Sequence, residues 1–497
     1  MILSLLACLS TDTPVDGSST SDLDELTEDT TDDAGREPTT DESDDEAPVT
    51  ADVTEIVLAE VRSVQTSVNV TWTSTAPETS WLEVTQDGVT HELWPAGLEL
   101  QAWILAPELT ELTITAVTER DGMLERSEPV TVATGALPDG LDLDPGSGNE
   151  QATVNERALL TTWDAGSPRT ALLNPAGEIV WYRIGNEGRT TMAARLMESG
   201  EGIVLSDFAL DRTGDELESM DANQVVYVDW GGAMTRSLAT PGGHHFFDLQ
   251  PSDSVVWLQA APTSVSGVEG TVVFDALVDS DRGELFHTDA VDFYEGHCGG
   301  SIGYYGAACD AHHTNSVDCD LDAGRCIASL HATNQVVEID ATTGELLHDF
   351  STWTHELPDS LDTAFNGAHD VQYVDGGNAL LVFNTAEGRG SWAARYEIDR
   401  QSKALTASWT HGDEACLYAG AAGGVQPLPN GHYLVNYGSP SGILQEVAAD
   451  GEVVWSASGS GWTEDEACMI TYDVNEQWTL GETRSYSLGA LAGVLVL

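Results

Sequence analysis

AHDVQYVDGGNALLVFN (368–384), followed by EIDRQSKALTASW (397–409), decides the fold. A histidine-led strand runs into a glycine turn and then an apolar strand. A further strand, a tight turn and a strand ending in an aromatic complete the unit. Short apolar runs bounded by turn residues, with no helical period, are the mark of β-structure. The first half recurs in SGEGIVLSD (199–207) and PNGHYLVNYG (429–438). The second half recurs in LLNPAGEIVWY (172–182), VVEIDATTGELLHDF (336–350) and EVAADGEVVW (446–455). Successive copies lie roughly 45–60 residues apart, one four-stranded sheet per repeat, which is the arithmetic of a β-propeller. Units starting near 158, 190, 244, 313, 369 and 424 predict six blades over residues 153–497. Aromatic and valine side chains at the outer strands are expected to pack between blades. The closing strand is expected from ACMITYDV (467–474), and SLGALAGVLVL (487–497), too short to span a bilayer as a helix, reads as a final strand.

Upstream, residues 51–136 alternate with period two in VNVTWTS (68–74), SWLEVTQ (80–86), ELTITAVTERDG (111–122) and EPVTVATG (128–135). Short strands around an early Trp72 predict a small two-sheet sandwich, which resembles a fibronectin type III module. A spacer is its expected role, with carbohydrate or partner contact the alternative. Residues 137–152 read as a linker. The fold class is therefore all-β: a six-bladed β-propeller preceded by a small β-sandwich.

The chain has 497 residues, with 83 acids against 18 bases and a formal charge of −65. Lys403 is its single lysine. Such a surface repels nucleic acid and anionic lipid headgroups, so neither is a direct partner. A saline habitat and a lineage-wide composition both account for it. Residues 1–10, MILSLLACLS, place Cys8 after small and apolar residues in a stretch that resembles a bacterial lipobox, although the basic start of a signal peptide is missing, as in a truncated leader. Residues 11–50 are a Thr/Ser/Asp/Glu tether too polar to bury a core. Together they predict an extracytoplasmic protein, lipid-anchored through Cys8 at the outer membrane or cell surface, with no other membrane contact.

Six further cysteines remain, and an even remainder in an exported chain reads as disulfides. Cys298 with Cys309, Cys319 with Cys326 and Cys416 with Cys468 are the natural pairs; zinc, the competing reading, lacks a C-x-x-C pair. In DCDLDAGRC (318–326), alternating Asp318, Asp320 and Asp322 resemble a calcium loop, but the glycine comes one position late and no glutamate closes it. A disulfide-clipped hairpin is expected there. GGSIG (299–303) matches the nucleophile-elbow pattern around Ser301 without the strand and helix it needs. No P-loop or Rossmann fingerprint occurs, so no nucleotide cofactor is expected.

Twelve of the thirteen histidines lie between 244 and 432. His244 and His245 in HHFFDLQ (244–250), His313 in HHTNSVD (312–318) and His369 in AHDVQYV (368–374) each open a unit. Propeller geometry gathers the starts of innermost strands around one axis, where imidazole serves as nucleophile, base or cationic clamp. Turn histidines satisfied by backbone are the alternative, and recurrence in three consecutive units weighs against it. Three histidines also suffice for a metal, but no helical i, i+4 pair is present, and no metal is expected.

His-x-Asn-Ser at 313–316, the pair at 244–245 and Gly-x-His-Asp at 367–370 resemble the bacterial arylsulfate sulfotransferases. The resemblance covers about residues 155–475. It implies a six-bladed propeller that moves a sulfuryl group from a phenolic sulfate to a phenol, with no nucleotide sulfate donor. It makes His369 the nucleophile that becomes a sulfohistidine. His313 and one of His244 or His245 would hold the sulfate oxygens or move the phenolic proton, with Asn315 orienting them. Family members usually carry an arginine after the His-x-Asn-Ser motif; here His331 stands in SLHATNQ (329–335), which is expected to serve protonated or to leave the site without its cation. HHFFD likewise lacks the usual carboxylate directly after the pair. A non-catalytic binder of sulfated or phenolic ligands, a metal-dependent propeller hydrolase and an adhesion module are the rival readings.

Overall fold

The computed structural model describes residues 54–139, 157–164, 167–209, 220–266, 271–291, 309–385, 390–412, 419–440, 442–458, 479–487 and 493–497, with 141, 147–148 and 152. The described part is all-β, interrupted by short 3-10 turns. Among the described residues no helix is long and apolar enough to cross a membrane.

The first strands form two antiparallel sheets. One joins Glu55–Val61, Ser67–Thr73 and Gln101–Leu105; the other joins Val89–Leu93, Ser80–Gln86, Glu111–Arg120 and Met123–Arg126. Alternation puts Val68, Val70, Trp72, Leu82, Val84 and Ile104 into one shared core. The Trp72 indole N–H donates to Ser80 Oγ at 2.9 Å, so the buried ring leaves no orphaned donor. Val494–Val496 is the expected final strand, and it adds in parallel to Gln101–Leu105.

From Arg157 onward the chain builds six sheets among the described residues, each with a core of four antiparallel strands from an inner to an outer edge, four of them with one further short strand. Their middle strands are continuous apolar runs. Ala379–Asn384, for example, is buried throughout, because each face of a blade is covered by a neighbouring blade. The innermost strands contact one another in succession: Gly243–Leu249, Thr314–Asp320, Ala368–Val374, Gly424–Pro427, Thr479–Ser487 and then Ala194–Leu196. That is a propeller closed on itself.

Closure differs from expectation. Residues 467–474 lie outside the described residues, and the inner strand of the first sheet is Thr479–Ser487, paired antiparallel with Arg157–Asp164. The nearby apolar tail could not serve there, because Val494–Val496 belongs to the sandwich sheet. The sandwich also docks on the first two blades. Val64 and Leu105 share a core with Tyr182 and Trp230, and the backbone N–H of Gln65 donates to the Tyr182 hydroxyl at 3.2 Å.

Cys319 and Cys326 are joined across a hairpin, with Cα atoms 4.1 Å apart. Within that hairpin Asp320 accepts from the Ala323 N–H at 3.0 Å and pairs with Arg325, while Asp318 turns inward to the Tyr373 N–H. Asp318 and Asp320 therefore each have protein partners of their own within and beside the clipped hairpin. Cys309 is disulfide-bonded. Cys298, Cys416, Cys468, Ser301, the tether and Cys8 lie outside the described residues.

Candidate active site

Each histidine motif opens the innermost strand of its blade, and at each the ladder slips. The slip falls between His244 and Phe247, between Thr314 and Ser316, and between Ala368 and Asp370. A bulge leaves residues unpaired and re-aims their side chains. His245 and His313 also take left-handed backbone angles, φ 53° and 48°. Such angles cost a side-chain-bearing residue roughly 1–3 kcal/mol and collect at functional sites. The register corrects one expectation: the bulged position that His369 occupies in its blade is held by Asn315, not His313, in the preceding one. The histidines converge although their positions are offset.

Four rings close a circuit around the axis. His245 lies 4.7 Å from His313 and 6.0 Å from His369 between ring centroids, and His331 lies 5.8 Å from His313 and 6.4 Å from His369. His331 begins a 3-10 turn just past its strand, and its backbone N–H donates to the His313 carbonyl at 3.1 Å. Gly367, at φ +60°, lets that ring in: a Cβ there would stand 2.6 Å from Thr385 Oγ1 and 2.9 Å from His331 Nε2.

The rings are in different charge states. Burial alone would lower the His313 pKa, but the Asp310 charge and hydrogen bond, helped by Asp275, outweigh it and raise it. Asp310 Oδ2 stands 2.5 Å from His313 Nδ1, and its other oxygen accepts from the His313 backbone N–H at 3.1 Å. His313 thus holds its proton more tightly than a free imidazole does. His245 and His369 are held well below the usual histidine range by burial and then by neighbouring imidazoles. Burial and His313 push His331 down to about 4, so it is neutral at working pH. Of the two expectations for His331, the lowered pKa favours a ring that does not replace the arginine's charge; the carboxylate stands at His313 instead.

His369 Nε2 accepts from the Ala422 N–H at 3.0 Å, which places its hydrogen on Nδ1, a buried atom with no partner. Asn315 is buried with its Oδ1 unsatisfied. His244 stands behind His245, their Nδ1 atoms 2.8 Å apart, and His244 Nε2 lies 3.0 Å from Asp275 Oδ1. Asp275 and Asp310 were not legible as site residues because they come from segments outside the histidine motifs. One signal existed: VVFDALVD (272–279) is an apolar strand with an acid at its centre, and a buried acid needs a partner.

Phe246 packs against His369 at 5.8 Å and also lines a cavity of about 210 Å³ with Arg195, Asp248, Asp318, Asp370 and Arg484. Among the described residues no group of three or more His, Cys, Asp or Glu side chains stands in a geometry to hold a metal ion.

Residues 290–460 match the arylsulfotransferase (ASST) family. His313, Asn315, His331 and His369 fall inside the matched segment, whereas His244, His245 and Asp275 precede it. No curated protein matches the chain. Solved structures similar to it include a protein of unknown function from Bacteroides caccae, 14% identical over 66% of this chain and 98% of that one, TM-score 0.40. TolB from Acinetobacter baumannii is 10% identical over 76% and 79%, TM-score 0.39. The Cps50 (Swd1) β-propeller domain of Myceliophteria thermophila is 10% identical over 64% and 87%, TM-score 0.36. At such values none of them carries an argument about this chain.

Proposed function

We propose that the chain moves a sulfuryl group from a phenolic sulfate ester to a phenol, through a sulfohistidine on His369, in an extracytoplasmic protein anchored through Cys8. One observation carries the reading: His369 and His313 flank His245 in a single ring circuit, with the Asp310 carboxylate on His313 and the Ala422 N–H on His369 Nε2.

A neutral imidazole has one lone pair, and on His369 it lies on Nε2, where Ala422 N–H holds it. Substrate binding exchanges that hydrogen bond for attack on sulfur. The N–S bond forms, the S–O bond breaks and the phenoxide leaves with the electron pair. A nitrogen nucleophile divides one hard displacement into two easier ones. Negative charge spreads over the equatorial oxygens of the transferring group, so a preorganised cation there does most for the rate. His313, fixed by Asp310, supplies it, in place of the arginine usual in the family.

Purified residues 51–497 are mixed with p-nitrophenyl sulfate, with and without phenol. A stoichiometric burst of nitrophenolate without acceptor, turnover with it, and loss of both in His369→Ala are expected. A folded protein that binds the ester without any release at any pH would replace transfer with ligand binding.

A further inference from the structure

Asp275 lies on the third strand of its blade, outside every histidine motif, yet it is fully buried and touches two of them. Its Oδ1 lies 3.0 Å from His244 Nε2, and its Oδ2 accepts from the Thr314 N–H at 2.7 Å. Although burial acts against the charge, His244 and these hydrogen bonds keep the carboxyl below its usual range, so it is ionised and only accepts. The tautomers then follow in sequence. In the neutral form of His244, Nε2–H donates to Asp275 and Nδ1 carries the lone pair. His245 must donate from Nδ1 across 2.8 Å to meet it. The lone pair of His245 is thereby left on Nε2, in the ring between His313 and His369.

We infer that Asp275, acting through His244, is a positioning residue that makes His245 Nε2 the base for the acceptor phenol. The inference rests on the sulfuryl-transfer reading and divides its two halves. In the first half the phenoxide departs as the anion, and no base is needed. In the second, the acceptor oxygen attacks sulfur, the S–N bond breaks and its electron pair returns to His369. The phenolic proton goes to His245 Nε2. His245 can then pass a proton from Nδ1 to His244, where the positive charge faces Asp275, before release to solvent. A positioned base of this kind contributes about 10²–10⁴-fold.

The test separates the halves. Asp275→Asn and His244→Gln are each mixed with p-nitrophenyl sulfate alone, then chased with acceptors of differing acidity. The expected result for His244→Gln is a burst rate within about threefold of wild type; Asp275→Asn, which also withdraws a charge that helps hold the proton on His313, is compared at pH 6, where that proton is best retained. Transfer to phenol falls about 10²-fold or more, whereas transfer to an acceptor already ionised at the assay pH is nearly unchanged. Equal losses for both acceptors, or loss of the burst in a folded variant, would overturn the positioning role. Should neither variant fold, the wild type decides: a positioned base gives a chase rate with phenol that is flat from pH 6 to 8. A tenfold rise per pH unit means that phenoxide formed in solution is the acceptor and overturns the inference. Absence of any burst in the wild type would instead remove the sulfuryl-transfer reading beneath it.

Discussion

His313 carries the charge of the site because of one short contact, and that contact can be tested alone. Its raised pKa means that the cation is present at low pH and lost as pH rises through that value. Asp310 and Asp275 hold the proton on; His245 and His331 face it as neutral rings. Asp310→Asn removes the main support, so the alkaline limb of kcat/KM should move to lower pH, with activity falling further at pH 8 than at pH 6. His331→Gln should leave that limb where it is. A limb that follows His331 instead would return the cation to that position. At this scale the sequence shows which residues matter and hides what they carry. The motifs expose His245, His313 and His369, but their protons are governed by Asp310, three residues before His313, and by Asp275, whose partners are fixed only when strands from different blades meet.

The inner strands are tied in series by carboxylates. Asp248 accepts from the Cys319 N–H at 2.9 Å, Asp318 from the Tyr373 N–H at 2.7 Å and Asp370 from the Val425 N–H at 3.1 Å, each reaching the next blade. Burial, and then the charge of Asp318, pushes Asp248 up to about 8; burial pushes Asp318 up to about 6. A carboxyl raised in the fold binds its proton more tightly there than in the unfolded chain. Its contribution is complete below its ordinary value and disappears as pH rises through about 8. Asp248→Asn should therefore gain in Tm relative to wild type between pH 5 and pH 8.5, measured by calorimetry. A difference independent of pH would mean that Asp248 is ionised throughout. Blade strands were legible in the sequence because apolar runs and turns repeat. The bulges were not, since a one-residue slip leaves no compositional trace and appears only in the pairing.

For the whole molecule, two functions fall to the last described strands: Thr479–Ser487 closes the ring, and Val494–Val496 extends the sandwich. Ending the chain at 492 should keep the propeller and cost about 2–3 kcal/mol, the burial of Val494 and part of its neighbours. Ending it at 478 should abolish the cooperative transition, since Arg157–Asp164 loses its partner and the ring its sixth inner strand. Thermal unfolding of both truncations checks this; a cooperative transition in the shorter chain would show that the ring tolerates a gap. Repeat spacing indicated the propeller without identifying the strand that closes it, because 479–487 has none of the motif's landmarks.

Closure by Thr479–Ser487 also sets a clock. The first blade waits for a partner encoded some 300 residues later, on the order of 15–60 s at ordinary rates of synthesis. During that wait its inner edge is an open template for any passing strand. A nascent chain interrupted anywhere before Thr479 is thus marked as incomplete by the exposed edge itself, visible to proteases and holding chaperones until the final strand arrives to hide it.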